Sequence, residues 1–100
     1  MYPRLFLDVD PRMLHLPTTR TAGADPLKLQ RQLARFGGST QGMAPLEVYR
    51  GTDGNLVVYD GVTWATRVAK LLPRQLVRVE VIDDLPTPVG HLPTVGDRLP

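Results

Sequence analysis

Apolar and polar residues are distributed along this chain in short runs of two distinct periods. "RLFLDVD" (4–10) reads as an opening strand, ended by Pro11. "MLHLPTTRTAGA" (13–24) is punctuated by Pro, Thr and Gly and reads as a loop with a brief turn at its start. Asp25-Pro26 predicts a helix start, with Asp as N-cap and Pro at the first helical position. The helix is "PLKLQRQLARF" (26–36), stopped by Gly37-Gly38. Its Leu29, Leu33 and Phe36 fall at i, i+4, i+7 and form a buried stripe, while Lys28, Arg31 and Arg35 share another face. Such a basic row is usually the solvent side of an amphipathic helix.

After the loop "GSTQGMA" (38–44), "PLEVYR" (45–50) alternates as a strand. "GTDGN" (51–55) carries the Asp-Gly hairpin signal before a second strand, "LVVYD" (56–60). Asp53 belongs in that turn for its tolerance of positive φ rather than for reactivity. A second helix runs from Thr63, as its cap, to Leu71 or Leu72, with Ala65, Val68, Ala69 and Leu72 facing inward and Pro73 as the stop. "QLVRVEVID" (75–83) alternates cleanly, Val77, Val79 and Val81 on one face and Leu76 on the other. The predicted fold is therefore α+β, a small mixed sheet with two main helices, over residues 1–84. Residues 85–100, "LPTPVGHLPTVGDRLP", repeat Leu-Pro-Thr and carry four prolines, which predicts a Pro-rich C-terminal arm. Leu85, Val89, Leu92 and Val95 would pack that arm along the domain or dock it on a partner.

Composition narrows the chemistry. One hundred residues, 42% hydrophobic and 22% charged, suit one modest core. The absence of cysteine removes disulfides, thiolate catalysis and cysteine-based metal sites, and fits a cytoplasmic protein. The opening apolar run is too short for a signal peptide, and no stretch is long enough to span a bilayer. The net charge is +2 with a pI near 9.4, because the cations are nearly all arginine, which presents a planar donor fork to phosphate or carboxylate. A balance of +2 argues only weakly for nucleic acid, so the placement of the arginines matters more than their sum.

His15 and His91 lie far apart on Pro-rich segments with no partner at metal or triad spacing, and read as exposed or capping residues. Asp83-Asp84 ends a strand; such a pair can hold a cation but is more often a polar strand end. Asp60-Gly61 and the helix after it remain. The first free N–H groups of that helix point at the turn, and its dipole favours an anion. Gly61 allows close backbone approach, and Thr63 offers a hydroxyl. Arg67 lies one turn further on, and Arg50 could join it if its strand is a neighbour. The plainer reading is a tight turn followed by a Thr-capped helix.

From "DPLKLQRQLARFGG" through "APLEVYRGTDGNLVVYDGVTWATRVAKLLPRQLVRVEVID" the chain resembles the ParB/sulfiredoxin-like superfamily. Gly37, Pro45-Leu46-Glu47-Val48, Asp53-Gly54, Asp60-Gly61 and "VRVEVI" stand in the order of that family's helix, strand, hairpin, signature turn and valine-rich strand. "LDVDPRMLHLP" is similar to its opening strand, so the likeness covers roughly residues 4–83. The resemblance implies a phosphate-handling pocket at the signature turn, where partition proteins bind CTP, sulfiredoxins bind ATP and ParB-like nucleases cut nucleic acid. This chain departs from the family at that turn. Val62 stands where sulfiredoxins carry cysteine and others His or Glu, and Trp64 replaces the usual arginine; only Asp60, Gly61 and Thr63 match the D-G-H-T-R version.

Two functional expectations follow. In the first, Asp60, Gly61, Thr63 and Arg67 form a pocket for a nucleotide or nucleic-acid phosphate. Lys28, Arg31 and Arg35 supply a basic wall, Trp64 stacks on a base, and catalysis is slight or absent. Any nucleotide would arrive with Mg²⁺, for which Asp60 is the best ligand, and turnover would be that of a metal-dependent nuclease or nucleotide hydrolase. In the second, the domain is a non-catalytic adaptor or neutralising partner that makes protein contacts through Trp64 and the Pro-rich tail. A helix-turn-helix reader is excluded, because the two helices lie far apart in the chain, and full ParB partition function is not expected.

Overall fold

The computed structural model describes residues 3–100, so the first two residues of the predicted 1–84 domain lie outside the described residues. Four strands form one mixed sheet: β1 (Leu5–Val9), β2 (Leu46–Arg50), β3 (Leu56–Asp60) and β4 (Val77–Asp84), in the spatial order β1-β4-β2-β3. β1 pairs antiparallel with β4, β4 parallel with β2, and β2 antiparallel with β3 through the 51–55 hairpin. The helices are α1 (Pro26–Phe36) and α2 (Val62–Leu71). The chain is thus an α+β domain with a small mixed sheet and two main helices. Among the described residues no helix is long and apolar enough to cross a membrane.

Alternation explains which face of the sheet is covered. Leu46 and Val48 on β2, Val58 on β3 and Val77 and Val79 on β4 turn inward and are buried, where they meet Ala65, Val68 and Ala69 of α2. Each fully buried Val or Leu contributes about 1.5–3 kcal/mol, so these side chains set the placement of α2 on the sheet. α1 packs mainly on α2 and buries only Leu29 fully, with Leu33 and Phe36 half-buried. Its start is as the sequence predicts, the Asp25 carboxylate accepting from the Leu27 and Lys28 N–H groups at 2.9 and 3.4 Å.

Three readings need correction. Residues 14–16, expected in a loop, run extended beside β3: His15 N–H donates to the Leu56 carbonyl at 2.9 Å, and Val58 N–H to the His15 carbonyl at 3.0 Å. The other edge of that segment pairs with the tail, through Leu16 N–H to the Pro93 carbonyl and Val95 N–H to the Leu14 carbonyl at 2.7 and 2.8 Å. His15 is accordingly buried rather than exposed, and its Nδ1 donates to the Leu92 carbonyl at 2.8 Å. Asp53 does not adopt positive φ, which falls instead to Gly54 at +80°. Its carboxylate reaches across to the tail and accepts from the Gly90 and Val89 N–H groups at 2.8 and 3.4 Å.

Residues 85–100 lie against the domain. Val89 and Val95 are buried, Val95 within the main core, and Leu85 and Leu92 are half-buried. A short 3-10 turn (Gly96–Arg98) is closed by a reciprocal pair, Thr94 N–H to the Asp97 carboxylate and Asp97 N–H to the Thr94 hydroxyl, at 2.9 and 3.1 Å.

Candidate functional site

The β3–α2 junction is built around one backbone conformation. Gly61 has φ +119°, and a Cβ there would stand 2.6 Å from Leu46 Cδ2, so the position excludes a side chain on two counts. This turn places Gly61 at the N-cap and starts α2 at Val62, one residue before the sequence expectation. Thr63 is therefore inside the first turn and does not cap; no side chain caps this helix, and its first turn contains no acidic residue. Its leading N–H groups therefore have no acceptor within the helix or from a capping side chain.

The junction borders a cleft of about 400 Å³ lined by Asp60, Gly61, Val62, Thr63 and Trp64, and by Tyr59 of β3. The opposite wall comes from Lys28 and Gln32 of α1 and from Pro17, Thr19 and Arg20 before it. Two cations, an uncapped helix N-terminus and three hydroxyl side chains thus surround one space, with Asp60 as its only carboxylate among the described residues. A positive dipole end, reinforced by Lys28 and Arg20, suits an anion. Trp64 divides this cleft from a smaller one of about 270 Å³ lined by Gly42, Met43, Pro45 and Leu46.

The residues singled out from the sequence divide into four sets. Asp60, Gly61, Thr63, Trp64 and Lys28 meet at the cleft. Arg31 and Arg35 are exposed on α1 outside its lining, and among the described residues neither forms an ion pair. Arg50 stands at the opposite end of the β2–β3 hairpin, because antiparallel pairing sets it against Leu56 and not Asp60. There its guanidinium holds Asp84, with Nε 2.7 Å from Oδ1, and keeps that carboxylate below the usual range. Asp83 Oδ1 accepts from the Asp84 N–H at 2.8 Å, so the acidic pair is occupied internally. Among the described residues no three His, Cys, Asp or Glu side chains gather in a metal-binding group.

Arg67 is wholly buried and does not line the cleft. Its Nη1 donates to the carbonyls of Gly37 and Ser39 at 2.7 and 2.8 Å, and its Nε to Gln32 Oε1 at 3.3 Å. The guanidinium lies 4.9 Å from the Trp64 ring centre and 5.4 Å from that of Phe36, and those rings are 5.0 Å apart. Burial lowers its pKa below the ordinary guanidinium value, and Nη2 has no hydrogen-bond partner. Arg67 therefore ties the end of α1 to α2 from behind Gln32 and Trp64, which form the cleft wall.

Arg20, Gln32 and Tyr59 escaped the sequence reading. Gln32 was accessible to it, lying one turn from Lys28 on the same helix face. Arg20 was not: its position depends on a 3-10 turn (Thr18–Arg20) in a segment with no periodicity. No family model matches this chain, and no curated protein matches it.

Proposed function

We propose that the cleft binds the phosphate of a nucleotide or nucleic acid, in a divergent ParB/sulfiredoxin-like domain with little or no catalysis. The observation that carries this reading is the uncapped N-terminus of α2, opened by Gly61 into a cleft flanked by Arg20 and Lys28. The resembling family uses an arginine where this chain has Trp64; here Arg20 and Lys28, from other elements, supply the cationic charge. Thr63 lines the same space and can donate its hydroxyl to a phosphate oxygen. Binding is favoured over turnover because Asp60 has no second carboxylate or imidazole beside it in the cleft. Asp60 alone would give a divalent ion one ligand, the remainder coming from a polyphosphate and water.

The alternative role as a protein-interaction module loses support from the side chains it would use. Trp64 packs on Phe36 and Arg67, and the tail satisfies its own backbone against residues 14–16, 52 and 53. Titration with labelled nucleotides and short DNA, with and without Mg²⁺, tests the proposal. Saturable binding that weakens with salt and is lost in Lys28→Glu and Arg20→Glu is expected. Failure of every nucleotide and DNA to bind would overturn it.

A further inference from the structure

Next to the phosphate cleft, the open side of the sheet carries two tyrosines. Val48 and Val58 pair across β2 and β3 and point into the core, so Tyr49 and Tyr59 project from the other face. Their rings lie 5.1 Å apart at 53°, and Tyr59 is 58% exposed although it directly precedes Asp60. They line a groove of about 460 Å³ whose other walls are Val57, Leu92, Pro17 and Pro88. Tyr59, Pro17 and Thr19 belong to both spaces, so the apolar groove and the cationic cleft are continuous, with Tyr59 at the boundary.

We propose that Tyr59, backed by Tyr49, is a stacking shelf for a base and that the ligand is single-stranded nucleic acid. This inference rests on the phosphate reading of the cleft and adds to it. A flat, exposed aromatic beside a cationic cleft matches the alternation of base and phosphate along one strand. Free phosphate or a sugar phosphate would leave the tyrosine shelf unused. A duplex stacks its bases on one another and withholds their faces. A mononucleotide could fill cleft and shelf, yet it would not reach the cations beyond them. Lys28 lines the cleft and begins the row that continues through Arg31 and Arg35, both exposed and outside any ion pair among the described residues. A strand with its base on Tyr59 and its phosphate at the α2 N-terminus can set further phosphates along that row.

The experiment compares four probes at low salt by fluorescence anisotropy or competition: oligothymidine, an abasic strand of equal length, a duplex of that length, and thymidine triphosphate. Oligothymidine is expected to bind about tenfold or more tighter than each of the others. Tyr59→Ser should abolish the advantage of oligothymidine over the abasic strand, whereas Tyr59→Phe should preserve it. Irradiation of a bromodeoxyuridine strand should cross-link it to the peptide containing Tyr59. Equal binding of the abasic strand and oligothymidine would overturn the shelf while leaving the phosphate cleft intact. Equal or tighter binding of the duplex or the triphosphate would overturn the single-strand assignment. Binding of none of the four would remove the phosphate reading, and this inference with it.

Discussion

At Gly61 a single hydrogen atom in place of a side chain serves both packing and the cleft. The φ of +119° disfavours any L side chain, and Leu46 occupies the space a Cβ would need. Gly61→Ala should therefore destabilise the fold by about 1–3 kcal/mol, measured by denaturant unfolding. Relief of the clash requires the β3–α2 turn to move away from Leu46, and the leading N–H groups of α2 would move with it. Phosphate binding should thus weaken even in the folded fraction, whereas a pure stability defect would leave the affinity of that fraction unchanged. Thr63 behaves differently: it lines the cleft without capping the helix, so Thr63→Val should reduce binding with little change in unfolding free energy.

Between elements, Arg67 of α2 binds Gln32 of α1 and the Gly37 and Ser39 carbonyls that follow that helix. A guanidinium buried with no carboxylate partner is costly, and three hydrogen bonds with two aromatic faces offset that cost here. Arg67→Lys keeps a charge but cannot reach two carbonyls and Gln32 together or present a planar guanidinium to Trp64. A loss of about 1–3 kcal/mol in unfolding free energy is expected, with altered Trp64 fluorescence reporting the loosened helix pair. Sequence periodicity could not have located this contact. It disclosed α1, β2, β3 and β4 nearly to the residue, because apolar spacing and Gly or Pro boundaries are local properties. The start of α2 shifted because residue type suggested Thr63 as cap, while backbone geometry at Gly61 decided the boundary. Residues 14–16 pair on both sides, but three residues are too few to display a period of two, so their strand-like role was invisible. Within the cleft, Asp60, Gly61, Thr63, Trp64 and Lys28 were legible; Arg20 and the Tyr49–Tyr59 shelf depend on how distant segments meet.

For the molecule as a whole, the tail acts as a closing strap. The Cα radius of gyration is 12.9 Å, close to the ~13 Å of a compact chain of this length, so the four prolines do not extend the tail outward. They suit a segment whose few backbone N–H groups each need a specific acceptor. Asp53 supplies that acceptor to Val89 and Gly90. Its pKa is lowered from 3.8 to about 2, first by the Asn55 side chain and then by backbone N–H groups of Gly90, Asn55 and Val89, against the opposing effect of burial. A carboxylate with a depressed folded-state pKa stabilises the fold above its unfolded pKa, and that contribution is lost as pH falls through the folded value. The strap should accordingly hold from neutral pH down to about 4 and weaken between there and about 2. Asp53→Asn replaces one acceptor oxygen with an amide facing the Gly90 N–H, so it should be less stable than the native chain at neutral pH. The gap in melting temperature should narrow across that acidic window and close below it. Amide hydrogen exchange at Val89 and Gly90 should rise over the same range in the native chain. A gap independent of pH would mean that Asp53 acts through turn geometry and not through its charge.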